Sequence, residues 1–329
     1  MLRNRTTFYW IFAGLAVALT ACWVFNLAYY RAGQLEKPVF LTHHIEAENR
    51  EGAILHLYAL QNRQEDDPGR IVEVSLPGLE QAEVSVSWSD TYRNQELVQY
   101  AVRLERESAG DIRFGAWAED DKPIKFDTVE VRHLDGSRST EPIGELYVYP
   151  YTEATEALSV PETRGSGERS GQTTIRAETD LRVTGVDRAA QAAGDGQLQL
   201  YWSTGSAARQ PAASEGASAN GVPLEQAKFP AVLRTGEQAV LSYARLERGD
   251  EDWATVYSIM PRVEIEMEAQ AGTRIGPGTS ESAGTESATE TASGVGPGTS
   301  GSLPLFTEIM PRPDERQVRQ FVLARRDRP

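Results

Sequence analysis

Residues 71–76, IVEVSL, and 83–88, EVSVSW, alternate apolar and polar side chains. A strand presents successive side chains to opposite faces, so such runs read as strands with one face buried. The pattern recurs in LHLYAL (55–60), QYAVRL (99–104), IRFGAW (112–117), FDTVEVRHL (126–134) and ELYVYP (145–150). Turn formers separate these runs, the strongest being Glu65-Asp66-Asp67-Pro68-Gly69 and Leu134-Asp135-Gly136-Ser137. No amphipathic helix interrupts them. The spacing predicts an antiparallel β-sandwich or barrel over residues 38–151. Residues 89–96 are irregular and read as a loop or one helical turn.

Residues 152–172 break the pattern with Glu, Thr, Gly and Ser and read as a linker or long loop. Strand runs then resume: 174–178, 181–186, 198–202, 239–247, 254–259, 263–267, 303–309 and 320–326. They predict a second β domain over 173–329, with one extended sandwich as the alternative. Two low-complexity stretches, 203–221 and 269–302, hold almost no apolar side chain and are predicted to be disordered insertions. The runs flanking the second, 263–267 and 303–309, are then expected to pair. Ile-Met-Pro-Arg occurs at 259–262 and again at 309–312. A shared strand end, with Pro stopping the ladder, accounts for it as well as duplication does.

Ahead of this mainly β region stands FYWIFAGLAVALTACWVFNLAYY, 23 uncharged residues numbered 8–30. As a helix it is about 34 Å long, against a hydrocarbon core of about 30 Å. It predicts one N-terminal transmembrane helix, with aromatic residues at both ends. Arg3 and Arg5 precede it without an acidic residue. The positive-inside rule then makes residues 1–7 a short cytoplasmic tail and residues 31–37 a juxtamembrane linker. The β region lies outside the cytoplasm of a bacterial cell membrane. A second reading competes: Leu19-Thr20-Ala21-Cys22 resembles a lipobox, the bacterial lipoprotein processing site, which would place a lipid on Cys22, the only cysteine. Apolar residues continue for eight positions past Cys22, which favours the uncleaved helix.

Composition excludes several functions. The chain carries 33 Lys and Arg against 48 Asp and Glu. With Arg3 and Arg5 set aside, the remainder has 31 basic and 48 acidic residues, a net charge of −17. A nucleic-acid partner requires a basic footprint and is excluded. Recognition of anionic lipid is disfavoured on the same ground. The outer region has no thiol nucleophile, disulfide or Cys-based zinc site. It is long enough to hold one or two cores without such staples.

Catalytic motifs are missing: there is no Gly-x-Ser-x-Gly, Ser-x-x-Lys, His-Glu-x-x-His, P-loop or dinucleotide fingerprint. Among four histidines, His43, His44, His56 and His133, the first two with Glu46 form a partial metal constellation. Neighbours on a strand face opposite ways, so His43 and His44 are poorly placed to share one ion. The acidic clusters Glu65-Asp66-Asp67, Glu119-Asp120-Asp121 and Asp250-Glu251-Asp252 offer calcium or glycosidase carboxylates, but solvated turns are the simpler reading. Tyr147 and Tyr149, with Tyr151 beyond, line one sheet face, as core or as a sugar-stacking platform. No cofactor is predicted, and no catalytic residue is assigned. The expected function is a non-enzymatic binding or accessory module of the bacterial envelope or of a membrane complex. The alternative is an envelope glycan hydrolase using a carboxylate pair.

Overall fold

The computed structural model describes residues 3–50, 52–77, 83–104, 123–151, 153–165, 170–187, 198–205, 221–246, 252–267 and 300–326. It is mainly β, behind one long N-terminal helix, α1 (Arg3–Ala32). Two units are present. The first comprises Met1–Pro150, Arg248–Tyr257 and Met310–Pro329; the second comprises Tyr151–Glu247 and Ser258–Ile309.

The first unit holds β1 (Val39–Phe40), β2 (Thr42–Glu48), β3 (Ile54–Asn62), β4 (Ile71–Ser75), β5 (Glu83–Thr91), β6 (Gln95–Arg103), β7 (Ile124–His133) and β8 (Arg138–Tyr149). One sheet runs in the order β1-β3-β6-β5, and the other contains β2-β8-β7-β4. Leu55, Leu57, Ala59, Val98, Tyr100 and Val102 from the first sheet meet Ile45, Val74, Val129, Val131, Leu146 and Val148 from the second in one sandwich core. The period-2 runs supply all of those residues but Ile45 and Val98, so most of the core follows from the alternation.

Among its described pairings all are antiparallel except that of β2, which runs parallel to β8 from His43 opposite Gly144 to Glu48 opposite Tyr149. A bulge prepares this. Phe126 faces Leu146 and Thr128 faces Pro142, so Ile143, Gly144 and Glu145 share the place of Asp127. Pro142, opposite Thr128, is the last paired residue before this break.

β3 is buried on both faces. Its even-numbered residues Tyr58 and Leu60 join Leu41, Leu97, Trp253 and Val256 in a second cluster. That cluster is covered by Val318, Phe321 and Val322 of a C-terminal helix, α2 (Glu315–Arg326). Trp253 meets Phe321 edge-on, ring centroids 5.2 Å apart.

The second unit is antiparallel throughout its described pairings. It holds β9 (Leu158–Gly165), β10 (Ser170–Ala177), β11 (Leu181–Asp187), β12 (Leu198–Thr204), β13 (Val222–Pro223), β14 (Ala231–Leu233) and β15 (Gln238–Arg245). After β16 (Thr255–Ile259), which begins in the first unit, follow β17 (Arg262–Met267), β18 (Ser300–Pro304) and β19 (Thr307–Ile309). Two sheets result, β13-β12-β15-β10-β9 and β14-β11-β17-β18. Ile175, Leu200, Leu241, Leu181, Val183, Val263 and Ile265 are buried in it.

Several sequence expectations are corrected. Residues 320–326, read as a strand, belong to α2. Asp314 caps that helix: its Oδ1 accepts the Gln317 N–H at 2.7 Å, and Gln317 Oε1 accepts the Asp314 N–H at 2.8 Å. This is a capping box, and Val318, Phe321 and Val322 keep helical spacing. The expected loop over 152–172 contains β9 and the start of β10. The irregular stretch 89–96 is the end of β5, a tight turn and the start of β6, closed by the Tyr92 N–H on Gln95 O at 2.9 Å. The run 303–309 divides into β18 and β19. β18 begins at Ser300, inside the expected insertion, and pairs with β17, Val263 opposite Leu303. β12 likewise extends to Thr204, inside the first insertion. The rest of the second insertion, most of the first, and IRFGAW lie outside the described residues. Both copies of Ile-Met-Pro-Arg begin on the last residue of a strand, Ile259 of β16 and Ile309 of β19.

Candidate functional site

The chain changes sheets between β1 and β2, and His43 sits at that corner. β1 pairs with β3, and the Leu41 N–H still bonds Tyr58 O at 2.9 Å. The chain then leaves for the other sheet, so the Tyr58 N–H needs a new acceptor. His43 Nε2 takes it at 2.8 Å. The bulge at Gly144 brings Ile143 O to His43 Nδ1 at 3.0 Å, which makes Nδ1 the protonated nitrogen. Both ring nitrogens are thereby used, and His43 is fully buried. It ties the two sheets and has no lone pair left for a metal.

Burial pushes the His43 pKa down to about 4, against the smaller opposing pull of backbone bonds to Ile143 and Leu41. The unfolded chain takes up this proton near the ordinary pKa of 6.5, the folded one only near 4. Between those values the unfolded state binds more protons, so stability is lost as pH falls. The expected loss from this residue is about 3 kcal/mol from pH 7 to pH 4. Denaturant titrations at several pH values, on the native chain and on His43→Gln, measure it. Equal pH slopes in the two proteins would refute the assignment.

His44 projects from the other face of β2, away from His43. Its ring stacks on Tyr257 at 5.2 Å, and Nδ1 lies 4.0 Å from Glu145 Oε2. The β2–β8 register sets Glu46 opposite Tyr147 and Glu48 opposite Tyr149. Part of the His43-His44-Glu46 constellation, namely His44 and Glu46, therefore shares one sheet face with the tyrosine platform. Glu46 and Glu48 are buried, as is Tyr147. Lys125 lies 5.4 Å from the Tyr147 ring centroid and pairs with Glu145, whose carboxyl it holds below the ordinary range. Tyr151, beyond the strand end, is exposed. Among the described residues no three His, Cys, Asp or Glu are grouped to hold a metal ion.

Two of the other candidates, His133 and Asp67, hold backbone and side-chain groups of the fold. His133 bridges Gly69 O at 2.7 Å and Ser139 Oγ at 2.8 Å. His56 lies on β3, opposite Ala101. Asp67 accepts the Gly69 N–H at 2.9 Å and Asn62 Nδ2 at 2.8 Å. Glu119, Asp120, Asp121, Asp250 and Glu251 lie outside the described residues, as does the Asp252 side chain. Asp135, Glu178 and Asp180 are held below the ordinary range by hydroxyl, amide or guanidinium hydrogen bonds. That direction is opposite to the one a general acid needs.

A cluster that sequence reasoning missed lies where α1 meets the first unit. Side chains from Phe8 to Arg31 are exposed all around the helix. It is the one described helix long and apolar enough to cross a membrane. Its end is then gripped. Gly33 N–H bonds Tyr30 O at 3.0 Å, and Gly33 O accepts Gln95 Nε2 at 2.5 Å. Leu35 is buried: its N–H donates to Asn62 Oδ1 and its carbonyl accepts from Asn62 Nδ2, both at 2.9 Å. Lys37 Nζ reaches Glu141 Oε2 at 3.0 Å. Gln64 Nε2 donates to the Tyr30 hydroxyl at 2.7 Å. The guanidinium groups of Arg93 and Arg319 each lie 5.4 Å from the Tyr29 ring centroid. Glu315 Oε2 accepts the Arg93 backbone N–H at 2.9 Å, which joins α2 to the same seat. Residues 31–37, expected as a linker, are thus hydrogen-bonded into the fold. The signal for this is weak in sequence, because Asn62 and Gln95 are ordinary residues at strand ends.

No protein-family model matches the chain, and no curated protein matches it. Among solved structures, the D00-D0 domain of Intimin is similar over 70% of this chain and 90% of that one, at 10% identity and a TM-score of 0.18. At that score the superposition carries no argument about function.

Proposed function

We propose that the protein is a single-pass, membrane-anchored β module of the bacterial envelope or of a membrane complex, with its β units outside the cytoplasm, and that it binds a partner rather than catalysing a reaction. The observation that carries this reading is the seat of α1. A flexible tether would serve a freely diffusing domain. Here the first residues after the apolar helix are bound by Asn62, Gln95 and Glu141, so the helix and the first unit turn as one body. Such coupling suits a module that must present a surface at a set height and angle above the membrane. The charge bias of Arg3 and Arg5 supports the orientation. Continuation of the helix past Cys22 to Ala32 supports an uncleaved anchor over a lipidated Cys22.

The orientation is tested with Cys22→Ala as background and Glu153→Cys, at an exposed position, as the reporter. A membrane-impermeant maleimide is expected to label the introduced thiol fully in right-side-out spheroplasts. Labelling only after permeabilisation would reverse the topology. The Cys22→Ala protein is expected to keep its mass, apart from the substitution, and its membrane retention. Loss of a diacylglycerol-sized mass would instead establish the lipoprotein anchor.

A further inference from the structure

We propose that the seat of α1 is a binding site for the phosphate of an anionic phospholipid headgroup, taken by Arg93 and Arg319. This rests on the reading of α1 as a membrane span. From Trp10 to Tyr29 the helix rises about 28 Å, close to the hydrocarbon thickness of about 30 Å. The two aromatic ends then lie in opposite headgroup layers, and Tyr29 marks the level of the outer one.

Two arginines meet Tyr29 at that level from distant parts of the chain, Arg93 on the β5–β6 turn and Arg319 on α2. Both are exposed. Arg93 and Arg319 both use the face of Tyr29, which orients them without neutralising them. Three other arginines are matched to carboxylates: Arg70 to Glu96 at 3.1 Å, Arg132 to Glu73 at 2.6 Å and Arg176 to Glu178 at 2.8 Å. Among the described residues, neither Arg93 nor Arg319 has such a match. Glu315 engages Arg93 through its backbone N–H. Two cations held at one ring repel each other, and a bound anion offsets that cost. A guanidinium fork fits phosphate oxygens in two-point geometry. The net charge of the outer region repels an anionic membrane as a whole.

The full chain in neutral detergent, offered equal amounts of phosphatidylglycerol and phosphatidylcholine, is examined by native mass spectrometry. About a tenfold preference for retained phosphatidylglycerol is expected. Arg93→Gln with Arg319→Gln is expected to bring the ratio near one, and each single change to lower it about threefold. Arg93→Lys with Arg319→Lys keeps the charge and is expected to retain most of the preference. Arg132→Gln is expected to leave it unchanged. Melting temperatures in the same detergent confirm that each variant is folded. Equal retention by the native chain, a preference surviving in the double glutamine variant, or retention of added inorganic phosphate in place of lipid would overturn the proposal. Flotation with phosphatidylcholine vesicles separates the two readings. A chain whose α1 does not span fails to float, whereas a chain lacking only the lipid site floats without a headgroup preference.

Discussion

Alanine at Gly144 is expected to destabilise the first unit by about 4 kcal/mol, lowering its melting temperature by about 10 °C. Gly144 has φ +96°, which an L side chain rarely adopts. Steric space is also missing: a Cβ would fall 2.4 Å from His43 O and 2.8 Å from His43 N. Those are backbone atoms of the paired strand and cannot rotate away. β2 and β8 must separate where their parallel pairing begins, and the bond from His43 Nδ1 to Ile143 O is lost with it. Left-handed backbone accounts for about 1–3 kcal/mol and the overpacking for a similar amount. Gly136, φ +83° in the β7–β8 turn, is the control, since a Cβ added there would meet nothing within 4 Å. Gly136→Ala is expected to cost about 1 kcal/mol. Thermal unfolding of both variants measures the difference, and equal losses would show that the β2–β8 approach is not the source.

Asn62→Ala is expected to cost about 3 kcal/mol and to free α1 from the first unit. The side chain satisfies both backbone groups of Leu35, at a site where Leu35 is 7% and Asn62 9% exposed. Removing it strands a buried donor and a buried acceptor, each worth about 1–3 kcal/mol. Water entering the gap recovers part of this. Asn62→Asp keeps the acceptor but loses the donor and sets a carboxylate against Asp67, so it is expected to be no better. Spin labels at Ala28 and Arg63 report the coupling: a narrow distance distribution in the native chain should broaden in Asn62→Ala. An unchanged distribution would mean that Lys37–Glu141 and Gln95 hold the seat without Asn62.

The β character and most first-unit strands are legible in the sequence because one face of each sheet is buried and the other is not. Legibility fails where that condition fails. β2 carries buried side chains on both faces, including Glu46 and Glu48, so THHIEAE shows no clean alternation. α2 is hidden because QFVLARR has strand-like content, while Asp314 and Gln317, which cap the helix, precede it. The loop reading of 152–172 takes polar edge strands for a linker. β9 needs few apolar residues because Ser159, Glu162 and Thr163 pair through backbone with β10. The seat is illegible for a different reason. Tyr29, Asn62, Arg93 and Arg319 are ordinary one at a time, and only the fold brings them together. His43 stands out in the sequence for the wrong property, as a ligand rather than as a stand-in for a carbonyl acceptor.

Passage of the chain between the units, at residues 150, 247, 257 and 309, has a consequence for biogenesis. Trp253, Val318 and Phe321 close the outer face of β3, yet α2 is made long after α1. At ordinary synthesis rates the interval from Tyr30 to Glu315 is roughly 15–60 s. Until then Tyr58, Leu60 and Leu97 lack the cover of Val318, Phe321 and Val322, and Arg319 is absent from Tyr29. The first unit to emerge is therefore the last to be finished. A nascent chain waits, tethered by its helix and open on one side, until the segment that seals it arrives.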